Sequence, residues 1–126
     1  MLADAGGIPT HLFQYDAFGR LLTRLDWSAA SSAWTTAASA TTGLPTTVLY
    51  AGEAWDNDLA LSYNRARYYD PNLGRFWTRD TYEGSHEDPL TLHKYLYCHG
   101  APVSLVDPTG NSFILDCQGQ LRRYRV

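Results

Sequence analysis

The chain has 126 residues, with 10 basic and 13 acidic side chains and a formal net charge of −3. That length suits one small domain. The only basic cluster, Arg122, Arg123 and Arg125, sits at the extreme C-terminus and reads as a solvated tail; nucleic acid is disfavoured as a main partner, because phosphate binding needs concentrated Lys and Arg.

Nine Tyr, four Trp and four Phe, beside ten Gly and six Pro, point to many short strands joined by tight turns. Met1–Gly7 carries neither the basic region nor the apolar core of a signal peptide, and no apolar run is long enough to cross a bilayer. An export address is therefore expected elsewhere if the parent protein is exported, and the chain alone assigns no localisation. Cys98 and Cys117 can form one disulfide or stand as free buried thiols, since sequence gives no distance between them.

Residues 11–27 form the first predicted unit, a hairpin whose turn runs from Asp16 to Gly19. An Asp carboxylate accepts hydrogen bonds from the backbone just after it, and Gly accepts a positive φ at the exit. Residues 28–47 carry no charge and are mostly Ser, Thr and Ala. They read as a low-complexity flexible connection, with a Thr-rich edge strand as the alternative.

Residues 48–80 hold the strongest pattern. Val48-Leu49-Tyr50 predicts a short strand and Ala51-Gly52-Glu53 a turn. From Leu59 to Tyr69 large and small residues alternate, which predicts one continuous strand with a bulky face. Asp70-Pro71-Asn72-Leu73-Gly74 predicts a hairpin loop, with Pro71 presetting φ and Gly74 taking the left-handed geometry. Arg75-Phe76-Trp77-Thr78 returns. Residues 81–90 are acidic and turn-rich. Residues 91–99 read as a strand or as one to two helical turns; Leu92, Tyr95 and Leu96 fit helical spacing, so a short helix is the favoured expectation. Asp107-Pro108-Thr109-Gly110 predicts a third Asp-to-Gly turn, and Asp116-Cys117-Gln118-Gly119 a last hairpin. The recurrence of the turn at Asp16, Asp70 and Asp107 suggests a repetitive β architecture whose units bury their faces on neighbours.

Tyr15-Asp16-Ala17-Phe18-Gly19-Arg20-Leu21 resembles the YD repeat. The stretch from Tyr50 to Gly110 resembles the Rhs repeat-associated core domain: it contains Tyr50-Ala51-Gly52-Glu53, then Tyr63 through Pro71 with Arg65, Arg67, Tyr68, Tyr69 and Asp70. Gly74-Arg75-Phe76, Lys94-Tyr95-Leu96-Tyr97, Pro102 and Asp107-Pro108-Thr109-Gly110 follow in the same order. The resemblance divides the chain into a YD-like hairpin at 11–27, the connection at 28–47, a core domain at 48–110 and a short tail at 111–126. It implies a mainly β fold, with hairpins of a spiral YD-repeat sheet or partial barrel and one short helix at most. It also implies a shell that encloses a C-terminal polymorphic toxin, closed at one end by this domain, in a bacterial protein that is secreted or associated with the cell envelope. Tc toxin C subunits and teneurins are relatives of that family. The implied partners are neighbouring YD repeats of the same or another chain and a C-terminal toxin segment.

The chain departs from the family pattern in three places. Asn111 stands where the family commonly has Leu, at the cleavage point, and Thr81 rather than Pro follows Asp80. Only 16 residues follow Gly110, too few for a folded toxin domain. The chain is therefore expected to be a fragment, a product of a reduced gene, or an end cap for other repeats.

In that family the core domain releases the downstream segment by aspartate-dependent autoproteolysis, which implies Asp80 and Asp107 as the catalytic pair. Two carboxylates held close share one proton, so that one serves as base and the other as acid. Turn capping is the expected role of Asp16 and Asp70, and Asp107 is divided between cap and cleavage. Arg65 and Arg67 are expected to fork onto acidic residues across the sheet. Tyr68, Tyr69, Phe76 and Trp77 are expected core aromatics, with a sugar-stacking platform of an adhesion module as the rival. His86, His93, His99 and the two cysteines lack the spacing of a zinc site, and no cofactor motif is present. A lone piece of such a sheet leaves strand edges open, so self-association is expected.

Overall fold

A computed structural model describes residues 1–111; the predicted hairpin around Asp116 to Gly119, and Cys117 with it, lies outside the described residues. The chain divides into two compact units, Met1–Thr46 and Thr47–Val126. Each is a four-stranded antiparallel sheet in simple chain order. The fold is mainly β, as expected, and neither sheet closes into a barrel.

In the first unit β1 (Leu2–Ala3), β2 (Pro9–Tyr15), β3 (Leu21–Ser28) and β4 (Ala33–Thr36) lie side by side. The β2–β3 hairpin pairs Leu12 with Leu25 and Phe13 with Arg24. Its turn has the anticipated chemistry: Asp16 Oδ1 accepts the N–H groups of Phe18 and Arg20 at 2.9 Å each, and Gly19 sits at φ +83°. The same device recurs unanticipated at Asp4, whose Oδ1 accepts from Gly6 and Ile8 while Gly7 takes φ +80°. The charge-free stretch is not wholly a connection. Ala33–Thr36 forms the exposed edge strand β4, and Trp34 stands opposite Trp27 with ring centroids 5.4 Å apart. The fully buried hydrophobic side chains among the described residues all belong to the second unit.

In the second unit β5 (Ala54–Asp56), β6 (Leu61–Asn64), β7 (Arg67–Asp70) and β8 (Arg75–Phe76) form the sheet. The expected single strand from Leu59 to Tyr69 is two strands. A two-residue turn at Arg65-Ala66 breaks it, with Asn64 opposite Arg67 and Arg65 at φ +57°. The strand continues through its own hairpin partner, so Ser62 meets Tyr69 and Tyr63 meets Tyr68. The Asp70–Gly74 loop is as anticipated: Asp70 Oδ1 accepts the N–H of Asn72 at 2.8 Å, and the Gly74 N–H bonds the Asp70 carbonyl.

Two further expectations are corrected. Val48–Tyr50 is not a strand: Val48 makes only an isolated bridge to Ala54, and Tyr50–Gly52 is a single 3₁₀ turn with Ala51 at φ +55°. The helix expected within 91–99 is also absent. Short 3₁₀ turns occupy Pro89–Leu92 and Cys98–Gly100, while the carbonyls of Lys94 and Tyr95 accept from Asp80 and Phe76 instead of from a following helical turn. That segment lies along β8, and Leu96 bridges Arg75.

The core follows from this arrangement. Tyr69, Phe76, Tyr97 and Cys98 are buried together, with Leu105 packed beside them. The Tyr69 and Tyr97 rings lie 4.1 Å apart, and both meet Phe76 edge-on at 5.8 and 5.6 Å. Burial pushes the Cys98 thiol up to about 12, which keeps it a packing residue at neutral pH rather than a nucleophile.

Candidate functional site

The Asp107–Gly110 segment is fastened to the β6–β7 turn along its whole length. The carbonyl of Asp107 accepts from Asn64 Nδ2 at 2.8 Å, and that of Pro108 accepts from Arg65 Nη1. The Thr109 carbonyl accepts from the Ala66 backbone N–H at 3.2 Å, and the Gly110 carbonyl from Arg67 Nε. Four successive oxygens are thus held by four successive residues in matching order. The segment keeps its own shape through Asp107, whose Oδ1 accepts the N–H of Gly110 at 2.9 Å and the N–H and hydroxyl of Thr109 at 3.2 Å each.

Glycine is required at the end of this clasp. Gly110 has φ +75°, and a Cβ there would fall 2.2 Å from the Asn64 carbonyl oxygen and 2.9 Å from the Arg67 nitrogen. Only hydrogen fits between the two backbones.

Arg67 is the hub of the site. It is 5% exposed. Its Nη1 donates to the Lys94 carbonyl at 3.1 Å, and its Nη2 lies 2.7 Å from Asp80 Oδ2 and 3.9 Å from Asp107 Oδ2. The guanidinium carbon sits 3.7 Å above the Phe76 ring. Each nitrogen of the fork and one of its faces are therefore held by a different part of the unit, which makes it a pre-oriented cation. Burial draws the Arg67 pKa down, and the charges of Asp80 and Asp107 oppose that shift.

The two implicated aspartates meet across this one guanidinium. Asp107 is almost fully buried, and burial raises its carboxyl above the ordinary range, against the lowering effect of its hydrogen bonds and of Arg67. Asp80 caps its own turn by accepting the Tyr82 N–H at 2.8 Å while pairing with Arg67. Glu53 stands near Arg65 at 3.9 Å; burial raises its carboxyl, with Arg65 lowering it and Asp107 adding to the rise.

The remaining residues singled out from sequence lie elsewhere in their units. Tyr15, Asp16, Gly19 and Arg20 build the β2–β3 turn, where Arg20 Nε lies 3.3 Å from Asp16 Oδ2. Tyr68 packs on Tyr63 at 5.2 Å, on a partly exposed face. Tyr69 and Phe76 are core, whereas Trp77 is 63% exposed, so these four aromatics do not form one surface platform. Pro71 is buried in the β7–β8 loop and Arg75 pairs opposite Asp70. His99 lies 3.9 Å from Asp88, and among the described residues no three His, Cys, Asp or Glu gather as metal ligands do.

Sequence reasoning missed Asn64, Ala66 and the Lys94 carbonyl, which complete the clasp and the hub. Asn64 is 1% exposed, and its Oδ1 has no hydrogen-bond partner. A buried amide amid an otherwise alternating strand was the available signal.

No protein-family model matches the chain. Over 62 residues it is 42% identical to the tRNA nuclease WapA of Bacillus subtilis, a stretch covering 49% of this chain and 3% of WapA. Over 91 residues it is 31% identical to the toxin protein Tse5 of Pseudomonas aeruginosa, covering 69% of this chain and 6% of Tse5. In three dimensions it matches the crystal structure of TcdB2-TccC3 without its hypervariable C-terminal region, with a TM-score of 0.58 and 26% identity over 82% of this chain and 4% of that one. The chain thus spans a few per cent of the length of these much longer relatives. Together the sequence relatives and the shared fold support a relationship to Rhs-type toxins.

Proposed function

We propose that this chain is the structural end-piece of an Rhs/YD-repeat shell that encloses and presents a C-terminal polymorphic toxin, in a secreted or cell-envelope setting. The observation that carries this reading is the clasp. The main chain from Asp107 to Gly110 is pinned oxygen by oxygen to the β6–β7 turn, which would give a downstream segment a fixed point of attachment. The first sheet supports the reading too. It has no fully buried hydrophobic side chain of its own among the described residues, as expected for a wall element completed by neighbouring repeats. The test is a graft: this chain's matching residues replace the 62-residue counterpart in WapA. Protease resistance of the region downstream of the graft, equal to that of native WapA, is the expected result; selective loss of that resistance rejects the proposal.

A second reading is favoured by one specific arrangement. Asp80 and Asp107 flank the Arg67 nitrogen, and Arg67 also holds the Gly110 carbonyl. In this reading the pair hydrolyses the Gly110–Asn111 bond, one carboxylate accepting a proton from water and the other carboxyl protonating the departing nitrogen. Mass spectrometry of the chain over time would show a fragment ending at Gly110, lost on Asp107→Asn. A chain that stays intact from pH 4 to 9 rejects this reading and leaves the structural one in place.

A further inference from the structure

We infer that the outer face of the second sheet binds an acidic saccharide, at a site built from Tyr63, Tyr68, Trp77, Tyr95 and Arg75. The site lies apart from the clasp and takes no part in cleavage.

Strand register builds it. Tyr63 stands opposite Tyr68, with ring centroids 5.2 Å apart. The Trp77 N–H donates to the Tyr68 carbonyl at 2.8 Å, which puts Trp77 level with Tyr68 one strand further on. Side chains level with one another across a sheet share a face. Ser62, Tyr69 and Phe76, their neighbours in sequence, form the adjoining row and point the other way, where all three are buried. One row therefore packs the core. The other leaves Tyr63 44% and Trp77 63% exposed. The exposed row crosses three strands, a span of roughly 10 Å, which suits a short oligosaccharide.

Beside Trp77 lies a cavity of about 320 Å³ lined by Asp70, Leu73, Arg75, Phe76, Trp77 and Tyr95. That volume is at the small end of ligand pockets and matches a single sugar ring. Arg75 is exposed there, and no ion pair or hydrogen bond among the described residues uses its guanidinium. Asp70 stands opposite Arg75, but its Oδ1 accepts the N–H groups of Asn72 and Leu73 instead. The cavity thus presents an unpaired planar cation.

These groups select the ligand. Aromatic faces are electron-rich and attract the polarised C–H groups along one side of a pyranose. The hydroxyls of Tyr63, Tyr68 and Tyr95 and the Trp77 indole N–H make no hydrogen bond within the described chain, so they are available to sugar hydroxyls. A purely apolar partner would strand these polar groups and the guanidinium. Arg75 adds the preference for acid, because its fork matches a carboxylate with two parallel hydrogen bonds. A sugar unit carrying a carboxylate, a uronic or a sialic acid, satisfies the rings, the hydroxyls and the cation together.

Isothermal titration of the full chain tests this, with trigalacturonic acid against neutral galactotriose and sialyllactose against lactose. At least one acidic probe should bind about tenfold or more tightly than its neutral parent, the usual worth of a charge-assisted hydrogen bond. Trp77→Ala should remove binding altogether, and Arg75→Gln should remove only the acidic advantage. Both side chains are exposed, so both variants should keep the native melting temperature. Failure of both acidic probes to bind at millimolar concentration overturns the proposal. So does equal affinity for each acidic probe and its neutral parent, or binding that survives both substitutions.

Discussion

Arg67 and Gly110 lie 43 positions apart, yet the side chain of the first donates to the carbonyl of the second. The contact joins a strand in the middle of the second unit to the last glycine of the described chain. It needs both ends intact: a fork on one side and a residue without a Cβ on the other.

Gly110→Ala should therefore be severe. The new methyl falls 2.2 Å from the Asn64 carbonyl oxygen, and alanine resists a φ of +75°. Strain at such a position and loss of the clasp should cost about 2–4 kcal/mol. Urea titration checks this, and a change below about 1 kcal/mol would mean that the segment is held elsewhere.

The pH dependence of stability should carry the signature of Asp107. Its carboxyl is raised in the folded chain by burial, so the folded state holds the proton more tightly than the unfolded state does. Its contribution is then most favourable below the unfolded value, and it declines as pH climbs from near 3.8 towards the raised folded value. Asp107→Asn should flatten that decline. Melting temperatures of both chains across pH 3.5–7 give the comparison; parallel curves would remove Asp107 as the source.

Phe76 carries two loads, packing on Tyr69 and Tyr97 and supporting the Arg67 guanidinium. Phe76→Ala should cost about 3–5 kcal/mol, and Phe76→Leu distinctly less. Because leucine lacks the ring face, Phe76→Leu should also loosen Arg67, seen as faster exchange of its Nε proton by NMR. Unchanged exchange would show that the ring only fills space.

The edge strand Ala33–Thr36 is exposed at all four residues and lies at the margin of its sheet. The chain alone should self-associate there, as open edges do. Light scattering should show oligomers for the native chain and a shift towards monomer for Ala33→Lys with Thr36→Lys, which blunts the edge with charge. A monodisperse native monomer contradicts the prediction.

The turns at Asp16, Asp70 and Asp107 were legible because their chemistry is local: one carboxylate oxygen accepts nearby N–H groups, and a glycine closes the loop. The turn at Arg65-Ala66 was not. It contains no Gly, Pro or Asn, and the alternation of large and small residues runs on through it although the hairpin exchanges the faces, so that Tyr63 stands opposite Tyr68 and Asn64 opposite Arg67. Arg65 takes a positive φ there and its side chain donates to the distant Pro108 carbonyl, a partner no local window includes. The site was half legible for the same reason. Resemblance brought Asp80 and Asp107 forward as a pair, but the cation between them emerges only when β7 packs beside both. The helix expected within 91–99 failed because its carbonyls were claimed by β8 and Asp80.

A grip on main-chain oxygens is blind to what the side chains are. At Pro108 and Thr109 the β6–β7 turn reads only peptide groups, and Thr109 itself is exposed. Substitution of either leaves the acceptors where they were, and anything joined beyond Asn111 meets the same socket. Such a mount behaves like a universal coupling, indifferent to its cargo and intolerant only of a lost glycine.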